Sequence, residues 1–347
     1  MGTPRVIVWL DRLQVDLIAA VARQAKFSIV GAGSPAKGQS GSVAASLGCP
    51  VVDDLRAALA SAECDAILLA SLGDFALSPT RQDAGAVRAS HARGVRVITL
   101  EPVPPSAMDL SGQGWTHEEH GQCPANLIRF VGLPRLSRVM RDAHEPLASV
   151  GRPRTLHIES YAGATTCSLA SRLFAATDLM ISLLGEPETV DAAYVGAAVG
   201  QGVRSAPPQS LANLDGDLSV TCRFPDGRAA TLSASNQGGR WSFAATLLGE
   251  QGRLRLYDDG FEWIGVDGQK CDELRIRRGT RSANEIDTRA ATALAESLAR
   301  LLDTSLPDDG PVPLESILCV AQAVLLSART GQPESPATLR RAITPMM

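Results

Sequence analysis

Two hydrophobic rhythms divide this chain. Through the first hundred residues, short unbroken apolar runs alternate with helix-length segments; after Gly185 the apolar period drops to two. Residues 5–10 (RVIVWL), 27–31 (FSIVG), 65–71 (DAILLAS) and 95–100 (VRVITL) are runs of the kind that lie in a parallel sheet covered on both faces. Residues 50–52 form a shorter extended piece. Between the runs, residues 15–25, 43–47, 54–62 and 84–93 read as helices, with Asp53 or Asp54 as an N-cap and Gly94 at a C′ position. Parallel strands need crossover connections, so this alternation predicts an α/β, doubly wound, Rossmann-like sheet.

The text then changes. Residues 103–125 hold several prolines and glycines and no clear period, as in a linker or loop. Residues 134–148 read as a helix, 156–161 as a strand and 169–184 as a long helix. In residues 217–224, Leu218, Val220, Cys222 and Phe224 share one side, while Asp217, Ser219, Thr221 and Arg223 share the other. That is a half-solvated antiparallel strand. Pro225-Asp226-Gly227 makes a turn after it, because Pro presets φ and Gly accepts positive φ. Further strands are expected at 229–235, 242–248, 253–257, 261–266 and 272–277, punctuated by glycine turns at 249–252, 258–260 and 267–268. Helices at 288–302 and 314–328 close the chain. The expected organisation is a Rossmann-like domain over residues 1–125 and an α+β domain with a large, mostly antiparallel sheet over 126–347. A length of 347 residues suits two domains of about 150 residues each.

Aromatic residues make up 4% of the chain, so its cores must be built from Ala, Leu, Val and Ile. A net charge of −4 gives no global attraction for nucleic acid or an anionic membrane. The seven cysteines are odd in number and include no C-x-x-C pair, which reads as free thiols in a reducing cytoplasm. No apolar run approaches the ~18 residues of a membrane span, and the N-terminus lacks the basic-then-apolar pattern of a secretory signal.

Five segments, in order, carry a resemblance. They are Val51-Val52-Asp53-Asp54-Leu55 leading to Ala66-Ile67-Leu68-Leu69-Ala70-Ser71; Gly94-Val95-Arg96-Val97-Ile98 leading to Glu101-Pro102; Asp178-Leu179-Met180-Ile181-Ser182-Leu183-Leu184-Gly185-Glu186-Pro187; Leu247-Leu248-Gly249-Glu250-Gln251-Gly252-Arg253-Leu254; and Ser327-Ala328-Arg329-Thr330-Gly331-Gln332-Pro333. Together they resemble the Gfo/Idh/MocA family of glucose–fructose oxidoreductases and inositol dehydrogenases, nearly end to end. The resemblance implies a nucleotide-binding domain joined to a sheet-rich substrate domain, and NAD or NADP as cofactor if the family activity is retained. It also implies a sugar or polyol ligand and a homo-oligomer formed through the open face of the large sheet. The cofactor positions it implies are Leu10, Asp11, Ser71, Leu72, Glu101 and Pro102.

The residues that should perform that chemistry are replaced. Dinucleotide binding needs a tight glycine turn after the first strand. Here Trp9-Leu10-Asp11-Arg12-Leu13-Gln14-Val15-Asp16 follows, and no glycine occurs between Gly2 and Gly31. Side chains would crowd the pyrophosphate, and Asp11 and Asp16 would repel it. Gly31-Ala32-Gly33 follows the second strand, but the next glycine is Gly38, so the spacing is not G-x-G-x-x-G; a flexible loop is the plainer expectation, with Lys37 as a weak phosphate contact.

The family's Glu-Lys-Pro lysine is also missing. Glu101 stands beside Pro102 as a candidate base, or as a strand-end carboxylate that caps a helix or faces solvent. The resemblance puts Ser171 and Ala175 where the family's catalytic Asp and His belong. Arg172, Thr177 and Asp178 remain as polar groups near the expected cleft, with Asp178 bracing its helix as the plainer role. Arg135 resembles an arginine found early in the family's substrate domain, or is a helix surface charge. The catalytic candidates are thus Glu101, Asp178 and Arg172, and the substrate-cleft candidates are Arg135, Ser171, Ala175 and Thr177.

His117, His120 and Cys123 could share a helix face and bind zinc, but H-E-E-H is one residue short of H-E-x-x-H, and a solvated polar loop with no metal is the expectation. The reading is a small-molecule-binding or regulatory homologue without cofactor or redox chemistry. The alternatives are an active NAD(P)-dependent oxidoreductase on a carbohydrate, or a non-redox enzyme using Glu101 or the His117/His120 loop.

Overall fold

The computed structural model describes residues 2–77, 81–112, 114–118, 123–196, 198–199, 202–203, 206–276, 288–307 and 310–343. In chain order the first part gives β1 (Arg5–Trp9), α1 (Val15–Ala25), β2 (Ser28–Gly33), α2 (Ser40–Leu47), α3 (Leu55–Ser61), β3 (Ala66–Leu69), α4 (Gln82–Ala92), β4 (Arg96–Thr99), α5 (Ala107–Gly112) and β5 (Ile128–Phe130). The five strands form a parallel sheet in the order β2-β1-β3-β4-β5. Val51 adds a single parallel bridge to Ala32, outside β2. With that position counted as a strand, the order is the one in which the strand sequence reverses beside β1, where doubly wound sheets open a ligand crevice at their carboxyl ends.

The second part gives α6 (Arg138–Asp142), α7 (His144–Ser149), β6 (Pro153–Tyr161), α8 (Leu169–Leu184), β7 (Thr189–Gly196), the short pair β8 (Ala198–Val199) and β9 (Gly202–Val203), β10 (Gly216–Arg223), β11 (Ala229–Ser235), β12 (Ser242–Gly249), β13 (Gly252–Tyr257), β14 (Gly260–Gly265), β15 (Lys270–Arg275), α9 (Thr288–Leu302), α10 (Leu314–Thr330) and α11 (Pro336–Ile343). Eight of these strands form one sheet, β15-β14-β13-β12-β6-β11-β10-β7, antiparallel except where β6 meets β11. Its covered face carries Leu218, Val220, Cys222, Leu232, Ile158 and Ala245, packed under α8 and α10. Its other face carries Ser219, Thr221, Thr231 and His157 in the open.

α8 joins the two halves. Ser168 caps its start, accepting the Ser171 N–H at 3.1 Å, and Gly185 ends it at φ +80°. Phe174 on α8 stacks against Phe130 of β5, ring centroids 4.7 Å apart. The carboxyl ends of the parallel strands are thereby held facing the α8 N-terminus.

Three readings of the sequence change. The parallel sheet does not stop at residue 125: β5 runs to Phe130, and α9, far along the chain, packs on α1, its Ala290, Leu294 and Leu298 in one core with Val6, Leu17 and Val21. β5 is too short for its period to show. The segment expected as a loop over 103–125 contains α5, and Val103, Pro104 and Pro105 leading to it are buried. The helix expected over 134–148 is broken into a 3-10 turn (Pro134–Leu136), α6 and α7, because Ser137 starts a new helix and Pro146 has no N–H to continue the previous one. Of the last expected strand, Arg277 lies outside the described residues.

Candidate functional site

A cleft of about 540 Å³ opens at the carboxyl ends of β1, β3 and β4 and is closed on its far side by the α8 N-terminus. Asp11, Gln14, Ser71, Leu72, Phe75, Glu101 and Pro102 line its first wall. Cys167, Ser168, Asp215 and Asn236 line the second. Of the six expected cofactor positions, Asp11, Ser71, Leu72, Glu101 and Pro102 meet here; Leu10 is fully buried behind them.

The turn after β1 is a 3-10 helix, Arg12–Gln14, closed by its own side chains. Asp11 accepts the Leu13 N–H at 2.9 Å, and Gln14 Oε1 accepts the Asp11 N–H at 3.0 Å. The Gln14 N–H goes to the Asp11 carbonyl and the Val15 N–H to that of Arg12. The other end of the Gln14 amide donates to the Ala70 carbonyl and to the Thr166 carbonyl, both at 3.1 Å, and so ties the turn to β3 and to the loop before α8. The N–H groups of Asp11, Leu13, Gln14 and Val15 are therefore all taken. D-x-x-Q is a capping-box pattern and was readable in the sequence; Gln14 was missed there.

A second cleft of about 500 Å³ lies beyond the end of β2, lined by Ser34, Pro35, Lys37, Asp53, Asp54, Arg56 and Asp74. The wall between the two clefts is Phe75, 1% exposed, which lines both. Beside it Gly73, at φ +61°, lies so close to Pro35 that an added Cβ would come within 2.3 Å of the Pro35 Cβ. Gly31-Ala32-Gly33 is not a loop but the end of β2. A Cβ on Gly33 would sit 2.3 Å from the Trp9 ring and 2.2 Å from the Val52 carbonyl, so this glycine makes room for an indole.

Glu101 is buried and accepts two bonds from Ser168: the N–H at 3.0 Å and the hydroxyl. It thus links the end of β4 to the capped start of α8 while lining the cleft. Burial pushes its carboxyl above the usual range, and the two Ser168 donors pull it back.

The other candidates on α8 point away. Ser171, Ala175 and Thr177 are buried and are not among the residues lining the cleft. Arg172, fully buried, lays its guanidinium over the Trp241 ring at 3.8 Å and lines a separate small cavity of about 50 Å³. Asp178 holds Arg135 Nε at 2.6 and 2.7 Å, bracing α8 against the Pro134–Leu136 turn. Burial raises the Asp178 carboxyl to about 6, with Arg135 acting in the opposite direction. Neither Asp178 nor Arg135 reaches the cleft, so Arg135 is the partner of a buried acid rather than a surface charge.

His117 and Cys123 lie in irregular chain rather than on one helix, and the Cys123 thiol donates to the Trp115 carbonyl at 2.9 Å; His120 lies outside the described residues. Among the described residues no group of three or more His, Cys, Asp or Glu is placed to hold a metal. The seven cysteines are free thiols. No helix among the described residues is long and apolar enough to cross a membrane.

No protein-family model matches the sequence, and the search of curated proteins gives no match. Solved structures do match, along nearly the whole chain. An NAD-binding oxidoreductase from Klebsiella pneumoniae superposes with a TM-score of 0.65 at 12% identity, over 96% of this chain and 99% of that one. The fold is that of the Gfo/Idh/MocA-type NAD-binding oxidoreductases. An oxidoreductase from Agrobacterium radiobacter, solved with NAD+, L-tartaric acid and magnesium, gives 0.67 at 12% identity, over 97% of this chain and 100% of that one. Levoglucosan dehydrogenase, solved with NADH and L-sorbose, gives 0.66 at 10% identity, over 96% and 99%. At such identities the likeness is one of fold, and the cleft residues must speak for this chain's chemistry.

Proposed function

We propose that this protein keeps the oxidoreductase fold as a small-molecule-binding scaffold and does not carry out nicotinamide hydride transfer. The observation that carries this is the Asp11–Gln14 capping box. A dinucleotide on such a fold rests its pyrophosphate on free backbone N–H groups at the turn after the first strand. In this chain the N–H groups of Asp11, Leu13, Gln14 and Val15 are bonded internally, which leaves that of Arg12 alone in the turn without such a bond, and the Asp11 carboxylate takes the place of the anion. Gln14 fills the space between the turn and the Thr166 carbonyl. Phe75 and the Pro35–Gly73 contact wall off the second cleft from the first. The residues present do not fit a dinucleotide.

The expected lysine is missing, Glu101 beside Pro102 is bonded to Ser168, and Ala175 in place of the histidine has no proton to exchange. What remains is a cleft of mixed polar and apolar lining that suits a polyhydroxylated molecule, in a protein that serves as a binding or regulatory subunit. The reading extends to self-association through the open face of the large sheet and to a place in the cytoplasm.

The test is turnover. The purified protein is incubated with NAD+ or NADP+ and a panel of sugars, polyols and their acids, while reduced nicotinamide is followed by absorbance. No reduction above the protein-free rate is expected; sustained turnover with any member of the panel overturns the reading and restores an active carbohydrate oxidoreductase.

A further inference from the structure

The charge of the cleft has a chemical consequence for its ligand. Among the described residues its lining holds three carboxylates, Asp11, Glu101 and Asp215, and no lysine, arginine or histidine. None of the three has a cationic partner among the described residues. Asp11 accepts the Leu13 N–H, Asp215 accepts Gln237 Nε2 at 2.8 Å, and Glu101 accepts from Ser168. Asp11 and Asp215 are only partly buried, so both present charge to whatever enters.

A second feature points to a ligand independently. Asn236 is 4% exposed and lines the cleft. Its Oδ1 accepts the Gly216 N–H at 2.9 Å and is also reached by Gln237 Nε2, which fixes the amide's orientation. Its Nδ2 then has no hydrogen-bond partner among the described residues. The nitrogen is not sealed off inside the protein: it opens onto the cleft, where a ligand oxygen can accept from it.

We propose, resting on the reading above, that this cleft takes a small polyhydroxylated amine and turns away molecules bearing phosphate or carboxylate. The ammonium is held by Asp11 and Asp215, and a ligand hydroxyl or ring oxygen accepts from Asn236 Nδ2. A phosphate meets two carboxylates, no cation among the described residues, and a turn in which the N–H groups of Asp11, Leu13, Gln14 and Val15 are already bonded. Its desolvation is then uncompensated. The apolar remainder of the lining, Leu72, Phe75, Pro102 and Leu214, suits the carbon skeleton of the same ligand.

The experiment compares three probes that share one ring and differ in charge: glucosamine, glucose and glucose 6-phosphate. Each is titrated into the full-length protein by saturation-transfer NMR, with NAD+ as a fourth arm. Glucosamine is expected to bind more tightly than glucose, with no saturable signal from glucose 6-phosphate. The double variant Asp11→Asn, Asp215→Asn should weaken glucosamine by about tenfold or more, and weaken it more than glucose, as expected for loss of charge-assisted bonds to the ammonium. Asn at position 11 is itself a good N-cap, and Asn at 215 still accepts from Gln237, so the variant keeps the fold. Binding of glucose 6-phosphate as tight as that of glucosamine overturns the proposal. So does an absent glucosamine signal, or a double variant with unchanged glucosamine affinity. Saturable NAD+ binding would instead overturn the non-redox reading beneath it.

Discussion

Asp11 and Gln14 close the turn after β1 on each other: Gln14 Oε1 accepts the Asp11 N–H at 3.0 Å, while the Asp11 carboxylate accepts the Leu13 N–H at 2.9 Å. Because the same Gln14 amide also donates to the Ala70 and Thr166 carbonyls, one side chain holds together the turn, the end of β3 and the loop before α8. Gln14→Ala should therefore cost about 2–3 kcal/mol, the sum of a lost cap and buried carbonyls left without donors. Urea unfolding reads this directly. An unchanged midpoint would mean that the turn stands without Gln14.

Two glycines should behave oppositely. Gly33→Ala drives a methyl into the Trp9 ring and the Val52 carbonyl, and overpacking of this kind costs about 1–3 kcal/mol. Gly41 lies in α2 with open space around its Cβ position, so Gly41→Ala should stabilise by up to about 1 kcal/mol through helix propensity. Thermal melts of the two variants against the parent check both signs.

The Asp178–Arg135 pair predicts a pH dependence. Burial raises the Asp178 carboxyl to about 6, above its value in the unfolded chain. Between about pH 4 and pH 6 the folded state then holds a proton that the unfolded state has released, so this group's stabilising contribution is complete at the acid end and is lost as the pH rises through about 6. Asp178→Asn should flatten that part of the stability–pH curve. Arg135→Met, which leaves the buried carboxylate without its cation, should cost about 3–5 kcal/mol at neutral pH and less below pH 6. Urea titrations at several pH values distinguish the two variants.

Glu101 offers a test of its structural role. Glu101→Gln keeps an oxygen for the Ser168 N–H and removes a charge that burial disfavours, so its stability should stay within about 1 kcal/mol of the parent; Glu101→Leu leaves the start of α8 without that acceptor and should lose about 1–3 kcal/mol. Equal losses in the two variants would assign Glu101 a role that needs its charge.

The fold was legible where local chemistry agreed with the tertiary structure. α8 was read to the residue from its apolar stretch and the Gly185 that ends it, and β10 to within one residue at each end because Leu218, Val220 and Cys222 alternate with polar neighbours. It was not legible where burial comes without a period, as in the proline-rich strap at Val103–Pro105 leading to α5, or where an element is short, as in β5. The site divides the same way. Asp11, Ser71 and Glu101 follow strand ends, where a doubly wound sheet opens its crevice, and the sequence could point to them for that reason. Ser168, Asp215 and Asn236 come from connections far along the chain, and only the folded sheet brings them to the cleft. Asp178 and Arg172 were expected near it because they are polar, yet burial has given them an ion pair and an indole face as partners.

The central claim is that the closed Asp11–Gln14 turn leaves no seat for a nicotinamide dinucleotide. Calorimetric titration of the purified protein with NAD+, NADH, NADP+ and NADPH, after a check for carried-over nucleotide, measures this directly. The account predicts no saturable heat up to millimolar concentration of any of the four. Micromolar binding of any one of them would contradict it.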